Sequence, residues 1–296
     1  MSRVVPSASR ILLAGATGTI GRAVAARLEA DGYAVTAPGR ATLADPVALS
    51  AAMAEARPEV VISCIASRSG APRDAWAVDY AANLALLAAA RRSGVRQFIL
   101  LSAICVQKPL LAFQHAKVAF EAKLEASGID YAIIRPTAFF KSLSGQVRRV
   151  KAGKPFLIFG DGQLTRCKPI SDDDLARFIA RCIDNPDTRN RILPIGGPGP
   201  AISLREQGEL LFELAGRPPR FKSVSPRIFN YAERVLSLGA GVSGWFAGKA
   251  EYARIARYYA TESMLVLDPA TGSYRADLTP EFGSETLREH YTRLLG

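Results

Sequence analysis

The stretch RILLAGATGTIGRAVAARLEADGYAVTAPGR, residues 10–40, decides the fold. ILLAG is an apolar run too short for a helix and closed by glycine, so it reads as a buried strand. IGRAVAARLEADG then sets Ile20, Val24 and Leu28 on one helical face, with Gly32 at its stop. YAVTA is a second strand. Gly15, Gly18 and Gly21 fall in the turn between the first strand and the helix. That context gives the glycine spacing its meaning, because backbone amides must come close to a pyrophosphate at a helix N-terminus. The residues around them, Thr17, Thr19 and Ile20, are expected to share that site.

Outward from this unit the alternation continues. AMAEA reads as helix, EVVISCIA as strand, VDYAANLALLAAARRSG as helix, QFILLSAI as strand, FQHAKVAFEAKLEASG as helix and YAIIRPTAFF as strand. Repeated strand–helix units imply an α/β fold with a doubly wound parallel sheet of the Rossmann type. Beyond about Pro136 the pattern loosens. KPFLIFGDGQLTRCKPISDDDLARFIARCID reads as a hairpin followed by a helix capped by Ser171, ILPIGGPG as a strand returning to the sheet, and SLREQGELLFELAG as a serine-capped helix. We expect a dinucleotide-binding domain over 8–200, with 136–170 contributing to a substrate cleft. A smaller C-terminal substrate and lid region is expected over 201–296.

A chain of 296 residues with 49% hydrophobic and 22% charged residues has the composition of an ordinary globular protein. The four cysteines are scattered with no CxxC pair, and there are two histidines, so no metal site is expected. The formal net charge is +11. The basic residues are not clustered or interleaved with aromatics, so nucleic acid is not the expected partner. No apolar run approaches the roughly 18 residues of a membrane span. MSRVVPSASR lacks the apolar core of a signal peptide and is short for a transit peptide, so the expectation is a cytosolic chain.

The second strand ends TAPGR, without the acidic residue that would bind a ribose 2′-hydroxyl. Arg40 stands there instead and suits the 2′-phosphate of NADPH over NADH. A solvated surface arginine is the other reading.

These glycines, the ISCIA and LLSAI strands, Lys117 and IIRPT together resemble the extended and atypical short-chain dehydrogenase/reductases. The resemblance implies a Tyr-x-x-x-Lys pair, four apart on one helix face. Here the positions are Phe113 and Lys117. Without the phenol, carbonyl redox chemistry and sugar epimerisation lose their proton donor. Reduction of a conjugated carbon–carbon double bond keeps its logic, since the substrate can delocalise the charge itself. Lys117 would orient the nicotinamide ribose and lend positive charge, and Ser102, ending LLS, would join the cofactor site.

LLSAICVQKPLLAFQHAK, RPTAFFKSLSGQVRRVKAGKPF, FGDG followed by CKPIS, LPIGGPG and RYYATESMLVLDPATG resemble the NADPH-dependent divinyl (proto)chlorophyllide 8-vinyl reductases over most of the chain. That resemblance implies a magnesium-bearing tetrapyrrole substrate and reduction of its 8-vinyl group in chlorophyll or bacteriochlorophyll synthesis. It also implies a place peripheral to photosynthetic membranes. The leader of plant members is not seen, as in a bacterial form or a mature chain. Two alternatives stay open: a non-catalytic NADP-binding regulator or assembly factor, and an isoflavone-reductase-like enzyme.

On this reading Phe139 and Phe140 would line a slot for the flat ring. Tyr258 and Tyr259 would cover it or donate the proton, and Glu262 and Lys108 would anchor it. Lys141, Arg148 or Lys168 would meet the propionate. Each of these residues could equally be packing or surface charge. His115 faces away from Lys117 and is read as structural. PRIFNYAERVLSLGAGVSGWF, residues 226–246, reads as a lid or packing segment, with membrane contact as the less favoured option.

Overall fold

The structure is a computed structural model that describes residues 9–225, 228 and 244–296. The lid expectation for residues 226–246 therefore falls almost wholly outside the described residues.

Strands β1 (Arg10–Ala14), β2 (Ala34–Thr36), β3 (Val60–Ser63), β4 (Gln97–Leu101), β5 (Asp130–Pro136) and β8 (Arg191–Ile195) form one sheet in the order β2-β1-β3-β4-β5-β8. Every pairing in it is parallel. The strand burial explains why these short apolar runs become central strands. Ile11, Leu13, Ile62, Ile99 and Ile134 pack on one face, against Val24 and Leu28 of the helix Thr19–Ala30 and Leu175 and Ile179 of the helix Asp172–Arg181. Leu12, Val61, Phe98 and Ile133 alternate onto the other face with Leu49, Met53, Leu86 and Phe120. A sheet buried on both faces needs apolar side chains at successive positions, which is why these strands do not alternate with polar residues. The strand order reverses between β1 and β3, the place where such sheets bind ligands.

Two expectations are corrected. The stretch 154–184 does not form a hairpin: β6 (Phe156–Phe159) pairs parallel with β10 (Phe221–Val224), and β7 (Arg166–Cys167) pairs antiparallel with β9 (Ile202–Ser203). Gly160 and Gly162, both at positive φ, turn the chain, but the strands on either side find partners far along the sequence. The helix expected over 78–94 opens instead as a π-helical turn, Trp76–Ala82, before continuing as α-helix over Asn83–Arg92. Other local signals are realised. Ser171 and Ser203 cap their helices, accepting from the amides of Asp174 and Glu206.

Strands β11 (Val266–Asp268) and β12 (Ser273–Arg275) form an antiparallel pair near the C-terminus. The tail is tied to β7, as Met264 N–H donates to the Arg166 carbonyl at 2.9 Å and Arg166 N–H to Ser263 Oγ at 3.0 Å. No helix among the described residues is long and apolar enough to cross a membrane.

Candidate functional site

A cavity of about 960 Å³ opens above the C-terminal ends of β1, β3, β4 and β5 and runs outward to the tail. At its inner end lie Gly18, Thr19, Ile20 and Gly21, with Cys64, Ser102 and Lys117. The glycines are there because nothing larger fits. A Cβ on Gly15, whose φ is +85°, would stand 2.7 Å from the Cys64 carbonyl carbon, and one on Gly21 would overlap the Gly15 carbonyl. The helix Thr19–Ala30 starts at Gly18 with no side-chain cap, so its first amides are left for an anion. This bare, close-approach cradle fits a dinucleotide. Thr17 and Arg40 do not line the cavity. The Thr17 carbonyl accepts from Arg22 Nη1 at 2.6 Å, while Arg40 is exposed at the start of the helix Arg40–Ala44, with Asp74 within reach of its charge.

Lys117 reaches the cavity from the helix Ala112–Glu125, and Phe113 does not. Phe113 turns into an apolar cluster with Leu111 and Ile255, against Gly70. Lys117 Nζ lies 3.0 Å from Asp79 Oδ1, with the two side chains 10% and 1% exposed. Breaking such a buried pair by removing one partner costs about 3–5 kcal/mol, because the other charge is stranded. Asp79 sits in the π-helical turn, and its carboxylate also accepts from Ser67 N–H at 3.4 Å. The amide of Asn83 donates to the Asp79 carbonyl at 3.1 Å and to that of Val78 at 3.4 Å, while Ser63 Oγ donates to Asn83 Oδ1 at 2.5 Å. Burial pushes the Cys64 thiol up to about 12 despite the opposing charge of Lys117. Ser102 donates to buried Glu121, which also receives Arg135.

The outer end is built from side chains. Phe139, Arg166, Cys167, Tyr259, Glu262 and Met264 line it. Tyr259 keeps 46% of its surface open, yet burial of its hydroxyl end, with Cys105 beside it, holds the phenol well above its ordinary range. Glu262 accepts from Lys108 Nζ at 2.9 Å and from the Tyr274 hydroxyl at 2.8 Å, so Lys108 stands behind Glu262 and outside the cavity lining. Two more of the expected substrate residues are placed elsewhere. Tyr258 is 3% exposed and donates to the Cys105 carbonyl at 2.9 Å, edge-on to Tyr259. Phe140 is core, packed against His290 with ring centroids 5.2 Å apart. Helical geometry explains the first of these, since adjacent residues on the helix Gly244–Thr261 point about 100° apart and only one can face the cavity.

Among the expected cations, Lys141 lines the cavity and donates to Thr19 Oγ1 at 2.7 Å. Lys168 is buried in an ion pair with Glu281, and Arg148 is exposed off the cavity. His115 is exposed. Sequence reasoning missed three lining or supporting residues: Asp79, Arg166 and Asp172. Arg166 pairs with Glu206 at 2.7 Å and projects from β7 into the outer end. Burial raises the Asp172 carboxyl, with Lys141 opposing, and its Oδ1 has no hydrogen-bond partner among the described residues. The signals for these were weak, a lone Asp in a helix and an Arg in a loop-like run. Among the described residues no cluster could hold a metal ion.

The arrangement suits a nicotinamide reductase with an apolar-walled substrate space. A family model described as NAD(P)H-binding matches residues 15–186. The divinyl chlorophyllide a 8-vinyl-reductase, chloroplastic, of Oryza sativa subsp. indica is 46% identical over 323 residues, which cover 99% of this chain and 80% of that protein. The protein of the same description from Cucumis sativus is 53% identical over 242 residues, 80% of this chain and 58% of that one. Among solved structures, an NADPH-dependent quinone oxidoreductase from Escherichia coli complexed with NADPH aligns over 97% of this chain and all of that one, with a TM-score of 0.67 and 18% identity. That last likeness is one of fold.

Proposed function

The chain belongs to the divinyl chlorophyllide a 8-vinyl-reductase family, and from that premise we propose that it reduces the 8-vinyl group of a divinyl chlorophyllide or protochlorophyllide to ethyl with NADPH. The observation that carries this reading is the extent of the likeness. The alignment spans 99% of the chain, so it covers the segments of the outer cavity wall as well as the glycine turn.

NADPH, when bound, supplies the hydride. Gly15, Gly18, Thr19, Ile20 and Gly21 would hold its pyrophosphate, with Thr17 at the turn and Arg40 meeting the 2′-phosphate. Residues 8–200 would form this half and 201–296 the substrate side, with 136–170 between them. Lys117 and Ser102 would hold the ribose end in register. Phe139 gives the macrocycle an apolar wall and Glu262 an edge contact. Tyr259 stands at the cavity wall and is the group proposed to deliver a proton to the second vinyl carbon, which hydride addition leaves basic enough to take it from a phenol. The balance is one hydride to one carbon and one proton to the other, with the transient charge spread over the conjugated ring. We place the enzyme in the cytosol, at the edge of photosynthetic membranes.

The test is incubation of the purified protein with NADPH and 3,8-divinyl chlorophyllide a, followed by Soret absorbance and chromatographic retention. A blue-shifted monovinyl product is expected. No conversion with intact NADPH binding would overturn the reading in favour of a non-catalytic NADP-binding protein.

A further inference from the structure

Resting on the reductase reading, we infer that Asp79 is the positioning residue for Lys117. It fixes the ammonium at the inner end of the cavity and cancels its charge. Three observations converge on it.

The first is the contrast among the cavity's cations. Arg166 shares its charge with half-open Glu206, and Lys141 rests on the Thr19 hydroxyl. Lys117 is almost wholly removed from water, and its partner still more so. An ammonium in such a place adopts whatever direction its carboxylate imposes.

The second is the bracing of the turn that carries the carboxylate. A π-helical turn disturbs the regular carbonyl–amide ladder, and the Asn83 side chain meets the carbonyls of Val78 and Asp79. Asn83 is in turn held by Ser63 on β3. The chain from the end of β3 to Lys117 thus runs Ser63, Asn83, Asp79, Lys117, with each member buried.

The third is charge. The thiols of Cys64 and Cys105, which feel the charge of Lys117, are held neutral by burial. Asp79 is the carboxylate paired with it, at 3.0 Å. Hydride transfer creates positive charge at the cofactor end of the cavity. Lys117 alone would oppose that charge, whereas the Lys117–Asp79 pair is neutral and still presents N–H donors.

The test is a double-mutant cycle on the full-length protein with wild type, Asp79→Asn, Lys117→Met and both together. NADP⁺ affinity is measured by calorimetry without pigment, kcat with pigment, and Tm for each. Asp79→Asn should lower kcat and NADP⁺ affinity by about tenfold, and the double variant should be no worse than Lys117→Met within about twofold. Asp79→Glu keeps the charge at a longer reach and should recover part of the affinity. Effects that multiply in the double variant would overturn the inference, as would wild-type affinity and kcat in Asp79→Asn with only Tm lowered. Should Asp79→Asn fail to fold, Asp79→Glu decides: a shifted NADPH KM with intact Tm supports the role, and wild-type values reject it. If wild type does not convert the pigment, the reductase reading fails on its own and the affinity cycle still judges Asp79.

Discussion

The two ends of the cavity are built on opposite plans. The floor of the inner end, beside Lys117 and Ser102, is backbone from one short turn, residues 15–21, and its requirement is the absence of side chains. The outer end is made of side chains, Phe139, Arg166, Tyr259 and Glu262, drawn from segments that are distant in sequence. A site defined by exclusion fails abruptly when anything is added, because the clash is with backbone that cannot yield. A site defined by a set of side chains fails by degrees, because each contributes separately.

The largest effect should therefore come from the inner end. Gly21→Val forces a side chain into the Gly15 carbonyl, and NADPH affinity measured by fluorescence titration should fall by more than about 100-fold. Retained binding would break the contrast at its strongest point. Next is Lys117→Met, expected to lower kcat/KM by about 100-fold while leaving pigment affinity within a few-fold. Loss of pigment affinity instead would move Lys117 to the other end.

At the outer end the adjacent tyrosines sharpen the comparison. Tyr259→Phe should lower kcat by about 10–100-fold with NADPH affinity unchanged. Tyr258→Phe removes a buried hydrogen bond to the Cys105 carbonyl, so it should cost about 1 kcal/mol of stability in denaturant unfolding and leave kcat near wild type. Reversed outcomes would mean that the helix presents the other face to the substrate.

The smallest effect concerns the ground on which the outer end stands. His290, hydrogen-bonded to Ser144 and packed on Phe140, has its pKa lowered by burial. The unfolded chain binds that proton more readily, so the stability contributed by neutral His290 is present above its ordinary value near 6.5 and lost as pH falls below it. Wild type should lose more Tm between pH 7.5 and 5.5 than His290→Gln, as read by differential scanning fluorimetry.

The same contrast governs what could be read in advance. The parallel sheet, the glycine turn and the Ser171 and Ser203 caps are local matters of spacing and backbone need, and they are visible in contiguous residues. Whether Tyr258 or Tyr259 faces the cavity depends on the rotation of a helix, which the dipeptide YY does not encode. Phe139 and Phe140 posed the same problem, and the second went to the core. The expected hairpin failed because β6 and β7 pair with strands that arrive later in the chain, a long-range choice their own sequences leave open. Asp79 was hidden for another reason. It is separated from Lys117 by 38 positions, and its burial rests on a helical turn of irregular pitch that apolar periodicity does not reveal.

That irregular pitch carries a consequence for how this gene can change length. The turn Trp76–Ala82 holds one residue more than an ordinary helix would need. Loss of a single codon there would let the segment relax into regular α-helix with better backbone bonding. It would also swing everything on one side of the cut by one residue, about 100°. Asp79 would leave its lysine while the helix around it improved. A frame-preserving deletion at this spot should thus improve one helix while weakening both the fold, through stranded Lys117, and the cofactor's hold, whereas the same deletion in an exposed loop should pass unnoticed.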